Sequence, residues 1–272
     1  MTAARTAEPP PPAPDRGEGA RGTVPSTGLP REYLHSALVD KLGLAVVTRE
    51  FPPHTVLRIE ELEARYGVSR SVIREVIRVL SSLGLLASRR RLGTVVQPAT
   101  AWNLYDPHVI RWRLASGDRI DQLRSLSELR SAIEPQAAKL AAQRASFAEA
   151  SELVSLSAQL WATGHDSDIA EFLKLDVLFH AKLLDASGNE MFAQLNSLVT
   201  EVLKGRSDHG LMPNSPNHQA MEFHVDVANA IQRRDGDAAQ AAMTRIVEQS
   251  MDEMGVIWNV AHPEPGGPDR AP

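Results

Sequence analysis

Three side chains in this sequence are spaced so that they could share one ligand. Asp176 and His180 are four residues apart, so on a helix both leave the same face. Their row, Leu173, Asp176, His180 and Leu184, is otherwise apolar. His224 repeats the arrangement within Met221, His224, Ala228 and Ile231, and Arg130 does so less cleanly beside Leu126, Ile133 and Ala137. A carboxylate or an imidazole inside an apolar stripe is costly to bury unless something pairs with it. One Asp and two His from separate helices could hold a divalent metal such as Zn, with positions left open for a carboxylate ligand. A satisfied interior hydrogen-bond network is the plainer alternative.

A second set of residues suits an exposed, polyanionic partner. Ser69, Arg70, Ser71 and Arg74 fall at the start of one helical run, and Arg89, Arg90 and Arg91 fall together further on. The planar fork of Arg matches the O6 and N7 acceptors of guanine, and short hydroxyls reach phosphates. An arginine cluster on a hairpin tip can enter a minor groove or grip the backbone. Each arginine taken singly is ordinary solvated surface.

The elements around these arginines form a recognisable series. Leu34, Leu38, Leu42 and Val46 recur at four-residue steps, which predicts a helix near Tyr33–Arg49 that ends at Phe51-Pro52-Pro53-His54. A short helix over Ile59–Tyr66 follows. Gly67-Val68-Ser69 then makes a tight turn, with Ser69 placed to cap a helix from Arg70 to Leu83. Gly84 stops that helix. Leu85–Arg89 and Thr94–Gln97 read as a small β-hairpin across residues 90–93. Two short helices, a Gly-x-Ser turn, an Arg-bearing helix and a basic hairpin together predict a winged helix-turn-helix over 30–98.

The histidines belong to a different architecture. After a connector over 99–117, Leu123, Leu126, Leu129, Ile133, Ala137 and Leu140 form one long helical stripe. Further periodic segments lie near 148–162, 168–186, 190–205, 217–233 and 236–259, punctuated by Gly164, Gly188, Gly210 and Gly236. This predicts an antiparallel all-α bundle over 118–260. The fold class is therefore mainly α. Residues 1–29, with four consecutive prolines at Pro9–Pro12, cannot bury enough apolar area to offset ordering, so they are expected to form a disordered arm. Residues 261–272 repeat that composition as a tail.

Composition narrows the partners. The net charge of −5 is unevenly spread: residues 31–98 carry eleven basic and seven acidic side chains, or +4, which leaves −9 elsewhere. A basic N-terminal module on an acidic body points to a polyanion partner for the first part only. The chain has no cysteine, which removes thiolate zinc sites and cysteine nucleophiles and suits a cytoplasmic protein. No window approaches the ~20 apolar residues of a membrane span, so no membrane partner is expected.

On these residues the chain resembles the GntR family of bacterial regulators. The resemblance is carried by Leu57-Arg58-Ile59-Glu60-Glu61-Leu62, Tyr66-Gly67-Val68-Ser69-Arg70, Arg74-Glu75, Leu83-Gly84-Leu85-Leu86 and Gly93-Thr94-Val95-Val96. It implies that Arg70 and Arg74 read bases, that Ser69 and Ser71 hold the backbone, and that the wing at Gly93 contacts the minor groove. With Arg58, Thr94 and Arg89–Arg91 these make up the expected interface with double-stranded DNA. Two residues depart from the pattern: His54 replaces a usual turn glycine, and Glu60 stands where one member has a DNA-contacting Arg.

The later segments, Leu129-Arg130-x3-Glu134-Pro135-x-Ala137-Ala138, Asp176-x3-His180-x7-Gly188-Asn189 and His224-x6-Ile231, resemble the FCD effector domain of the FadR branch. The likeness implies a homodimer and a metal held by Asp176, His180 and His224. The usual fourth ligand falls on Ile246, which cannot coordinate. Either three residues bind metal with water or effector completing the shell, or no metal is bound. The run Trp102-Asn103-Leu104-x-Asp106-Pro107-x3-Arg111-Trp112 is similar to the sugar-acid-responsive, galactonate-type members. That implies a small carboxylate effector paired with Arg130, with Asn189 either meeting effector hydroxyls or simply capping a helix. The resulting expectation is an effector-controlled DNA-binding regulator, most simply a repressor, and not an enzyme. Two alternatives stand beside it: a constitutive dimeric DNA-binding protein, and a metal-dependent enzyme acting on a sugar acid.

Overall fold

The computed structural model describes residues 31–166, 168–208 and 218–261. The arm expected over 1–29, Gly210 and the tail beyond 261 lie outside the described residues.

The N-terminal module is built from α1 (Arg31–Val47), β1 (Val56–Leu57), α2 (Ile59–Tyr66), α3 (Arg70–Ser82), β2 (Leu86–Arg89) and β3 (Gly93–Val96). Its core forms where Leu38, Leu42 and Val46 of α1 meet Ile73, Val76, Ile77 and Leu80 of α3. The strongly amphipathic α3 thus buries one face and leaves its arginines outside. The expected hairpin is a three-stranded antiparallel sheet in the order β1-β3-β2, because Val56 and Leu57 pair with Val95 and Thr94. A two-residue strand carries too little periodicity to be seen in sequence.

The His54 departure leaves the turn intact. His54 itself adopts φ 72°, the left-handed conformation that a glycine would take there. Ser69 stands at the N-cap of α3, yet its hydroxyl makes no capping bond and instead lies 3.0 Å from Ser71 Oγ.

The connector is structured. A single 3-10 turn (Ala99–Ala101) leads to α4 (Pro107–Leu114), which Asp106 caps by accepting from the His108 backbone N–H at 2.9 Å. The bundle comprises α5 (Arg119–Arg144), α6 (Phe147–Asp166), α7 (Ile169–Ala186), α8 (Glu190–Ala193), α9 (Asn196–Asp208), α10 (His218–Gln232) and α11 (Gly236–Ala261). The long α5 packs against α7, α9, α10 and α11, which makes it the axis of the bundle. Gly188 ends α7 with φ 61°, as a C-terminal glycine should. Gly164 is no break: it lies inside α6, where any Cβ would collide with the Met221 side chain of α10.

Candidate functional site

Three helices bring five charged or titratable residues of the bundle to one buried place. Arg130 and Glu134 are i and i+4 on α5, Asp176 and His180 repeat that spacing on α7, and His224 comes from α10. Every one of the five is at least nine-tenths buried. Arg130 donates from Nε and Nη2 to the two Glu134 oxygens, at 2.6 and 3.3 Å, a bidentate pair sealed from solvent. Glu134 Oε2 also lies 2.8 Å from His180 Nδ1. On the other edge of the ring, His180 Nε2 is 3.5 Å from Asp176 Oδ1, and His224 Nε2 is 3.1 Å from the same oxygen.

Burial alone would disfavour every charge in this cluster, and mutual attraction reverses that. Burial pushes the Glu134 carboxyl up, but Arg130 and His180 outweigh it and bring its pKa down to about 2. For His180 burial opposes the imidazolium, while Glu134 and Asp176 raise its pKa to about 9. Asp176 is held well below the usual carboxylate range, its burial offset by the two histidines.

The triad fits a metal ion. Ligand atoms of Asp176, His180 and His224 all lie within 4.8 Å of one another. The two approaches of 3.1 and 3.5 Å bracket the edge, about 3.3 Å, of a tetrahedron with Zn–ligand bonds near 2.0–2.1 Å. His224 Nδ1 is 2.7 Å from the Ala220 carbonyl, which fixes the ring and leaves Nε2 facing inward. That Nε2 is buried and has no aligned hydrogen bond, a state a metal would relieve. Glu134 stands behind His180 Nδ1 as the carboxylate that commonly orients a metal-bound imidazole. A bound ion would act as a Lewis acid toward an oxygen ligand. Ile246, from α11, lines the same cavity, so the fourth ligand position meets an apolar side chain.

The cavity has a volume of about 60 Å³, room for a few water-sized groups. Sequence reasoning had missed several of its polar walls. Arg206 of α9 and Gln249, Ser250 and Glu253 of α11 join Arg130, Asp176, His180 and His224 in lining it. Arg206 is 4% exposed and donates to Ser250 Oγ at 2.6 Å and Glu253 Oε2 at 2.9 Å. The signal for it was weak, because Arg206 sits one position beyond the apolar stripe of α9 and close to the unpatterned residues after 208. Glu134 was visible only as part of a motif, since a lone Glu on a helix is usually solvated.

Two residues expected to meet an effector have partners within the chain. Arg130, expected to meet an effector carboxylate, already has its carboxylate in Glu134. Asn189, for which effector contact and helix capping stood open, caps α8 by accepting from the Met191 backbone N–H at 3.0 Å and is not among the residues lining the cavity.

The arginines of the N-terminal module are arranged in the opposite way. Arg58, Arg70 and Arg74 are exposed along α2 and α3, and Arg89, Arg90 and Arg91 at the wing. Arg74 and the three wing arginines make no ion pair among the described residues, so their charge is uncompensated. Arg70 is engaged: its Nη2 donates to Glu60 Oε1 at 2.8 Å, which gives the departure at Glu60 a local role. Gly93 takes φ 106°, a conformation suited to glycine, and Thr94 is a correction. Thr94 is buried between β1 and β2, so its side chain is withheld from the exposed face that Arg89–Gly93 present.

One helix joins the two regions. Trp112 of α4 donates from its indole N–H to Asp40 of α1 at 3.1 Å and lies against Gly43, while Leu114 rests on Gly205 of α9. Arg111 of α4 also reaches Glu201 of α9 at 3.7 Å. Gly205 is the neighbour of Arg206, so the helix that touches the N-terminal module touches the cavity wall as well.

Comparison with known proteins settles the family. Residues 34–96 match the model of the bacterial regulatory proteins of the gntR family, and residues 125–249 match the FCD domain. A galactonate operon transcriptional repressor of Escherichia coli K12 is 30% identical over 216 residues, covering 78% of this chain and 93% of that protein. The chain belongs to the GntR family. This GntR regulator is also 32% identical over 225 residues to a putative L-lactate dehydrogenase operon regulatory protein of the same organism, covering 79% of the chain and 83% of the relative. A solved structure of Lar, described as controlling expression of the Listeria monocytogenes agr system, matches with a TM-score of 0.50 at 15% identity. That match covers 87% of this chain and all of the other, and at such identity it supports the fold alone. The protein is accordingly a DNA-binding transcription regulator with an FCD domain, and not an enzyme. No described helix is long and apolar enough to cross a membrane.

Proposed function

We propose that this GntR regulator acts as a cytoplasmic homodimeric repressor whose operator affinity is set by a small carboxylate of the sugar-acid class, bound in the cavity of the FCD domain. The observation that carries this reading is the convergence on one cavity of a metal-compatible Asp176–His180–His224 triad and two buried arginines. The names of the relatives that act on galactonate and lactate operons support a hydroxylated acid. In this reading a module over 30–98 reads DNA, residues 99–117 transmit, and residues 118–260 sense and dimerise. Arg70 and Arg74 meet base edges, Ser69, Ser71 and Arg58 meet phosphates, and Arg89, Arg90, Arg91 and Gly93 enter the minor groove. Asp176, His180 and His224 would hold a divalent ion such as Zn, which when bound would supply Lewis-acid polarisation of an effector oxygen.

An effector changes operator affinity only if it binds the two states differently. Ligand at Arg206 bears on α9, and α9 bears on α4 through Gly205–Leu114 and Glu201–Arg111, so the spacing of the paired recognition helices responds. Fluorescence anisotropy with labelled operator DNA, titrated with galactonate, gluconate and lactate, tests the reading. A shift of at least about fivefold in operator affinity is expected, within the usual range of allosteric coupling. If no carboxylate moves operator affinity, with Zn present or chelated, the sensing role is wrong although DNA binding survives.

A further inference from the structure

The cavity has two polar ends, and only one of them is satisfied from within. At the α5 end, Arg130 and Glu134 neutralise each other with two parallel bonds. At the α9–α11 end the pairing is incomplete. Arg206 uses Nη1 on Ser250 and Nη2 on Glu253, while its Nε is buried with no hydrogen-bond partner. Its compensating carboxylate is also the looser one, since the Glu253 side chain is 24% exposed whereas that of Glu134 is fully buried. Beside it Gln249 donates from Nε2 to Glu253 Oε1 at 3.3 Å, and its Oε1 is a second buried atom without a partner. Buried unpaired polar atoms are rare in folded proteins, and two on residues of the same cavity wall call for an explanation.

Their chemistry is complementary to one kind of ligand. The Arg206 Nε–H is a donor carrying positive charge, which a carboxylate oxygen satisfies best. The Gln249 Oε1 is an acceptor, which a hydroxyl satisfies and a carboxylate does not. Burial and the like charge of Arg130 both hold the Arg206 pKa below its ordinary value, the mark of a guanidinium short of negative charge. We infer that Arg206 and Gln249 form the effector subsite, Arg206 anchoring the carboxylate and Gln249 selecting a hydroxyl on the same molecule, while the Arg130–Glu134 pair is structural and orients His180. The inference rests on the carboxylate-effector reading above and names the residues that would carry it.

Isothermal titration of the full-length protein with lactate, propionate, galactonate and galactose separates the two. The wild type should bind lactate and galactonate, bind propionate at least about tenfold more weakly, and ignore galactose, since a buried acceptor left unpaired costs about that much. Arg206→Met should lose both hydroxy acids by at least about tenfold. Gln249→Leu should erase the preference for lactate over propionate while keeping propionate binding. Arg206→Lys keeps the charge without the fork and covers the case in which the Met variant fails to fold; it should bind hydroxy acids about tenfold more weakly. Thermal melts without ligand report whether each variant is folded. If the wild type responds to hydroxy acids and folded Arg206 variants respond equally, this assignment is overturned and the carboxylate reading stands. If the wild type binds no acid at all, the carboxylate reading itself has failed.

Discussion

The two halves of this molecule use charge in opposite ways. In the N-terminal module arginines stand in water at the two ends of α2, along α3 and at the wing: Arg58, Arg65, Arg70 and Arg78 pair with surface glutamates, and Arg74 and the wing arginines make no ion pair among the described residues. In the bundle, Arg130, Glu134, Asp176, His180, Arg206 and His224 are almost wholly enclosed, so each depends on the others. Exposed charge is cheap and reversible, which suits a surface that must exchange counterions for phosphates. Buried charge is tolerated only as a network, and a network responds as a whole when a proton, metal or ligand enters it. The reader and the sensor therefore differ in how strongly their charges are tied to stability.

That contrast can be broken most severely at Glu134. Replacing it with Ala leaves Arg130 and His180 without their shared carboxylate, and chemical denaturation should show a loss of about 3–5 kcal/mol. A loss under 1 kcal/mol would mean that the bundle charges behave like surface ones. Glu134→Gln should cost less, since it keeps the volume and one acceptor.

Acidity tests the same network without mutation. In metal-free protein His180 is raised in the fold to about 9 from an ordinary 6.5, so its contribution is complete below pH 6.5 and fades as pH rises through 9. Glu134 is lowered to about 2 from 4.5, so its contribution is complete above pH 4.5 and fades as pH falls toward 2. Stability should plateau between pH 4.5 and 6.5 and drop on the order of 1–3 kcal/mol by pH 9. Added Zn should flatten the alkaline limb, since metal takes the place of the His180 proton. A melting temperature that keeps rising to pH 9 without metal would contradict the geometry.

At the reader the expected losses fall on affinity alone. Arg70→Ala and Arg74→Ala should each weaken operator binding by about 1–3 kcal/mol in anisotropy titrations while the melting temperature stays within a degree or two. Loss of folding in either variant would erase the distinction between the two halves.

Ile246, which lines the cavity beside the triad, offers a test by gain of function. Ile246→His should add a ligand to the triad and tighten Zn binding at least about tenfold in competition with a chromophoric chelator. Unchanged affinity would place residue 246 away from the ion. The smallest effect belongs to the wing, where Arg90→Ala should reduce the slope of log affinity against log salt by about one, with no change in base preference.

Much of the N-terminal module was legible in the chain because its signals are local. Apolar residues at helical spacing, Gly67 at a left-handed turn and Gly84 after α3 announce the helix-turn-helix through contacts a few residues apart. Asp176, His180 and His224 could also be singled out, since a polar residue in an apolar stripe is a one-dimensional anomaly. Their convergence could not be read this way, because it depends on how α5, α7, α9, α10 and α11 cross, and periodicity sets a helix's buried face without choosing what faces it. Tertiary structure alone decided that Arg130 spends its charge on Glu134, that Asn189 turns to a backbone amide, and that Arg206 and Gln249 stand on one cavity wall with atoms to spare. Identity and spacing thus determined which groups were available for chemistry. Packing, acting through the high cost of unpaired charge in a dry interior, decided which of them remained free to perform it.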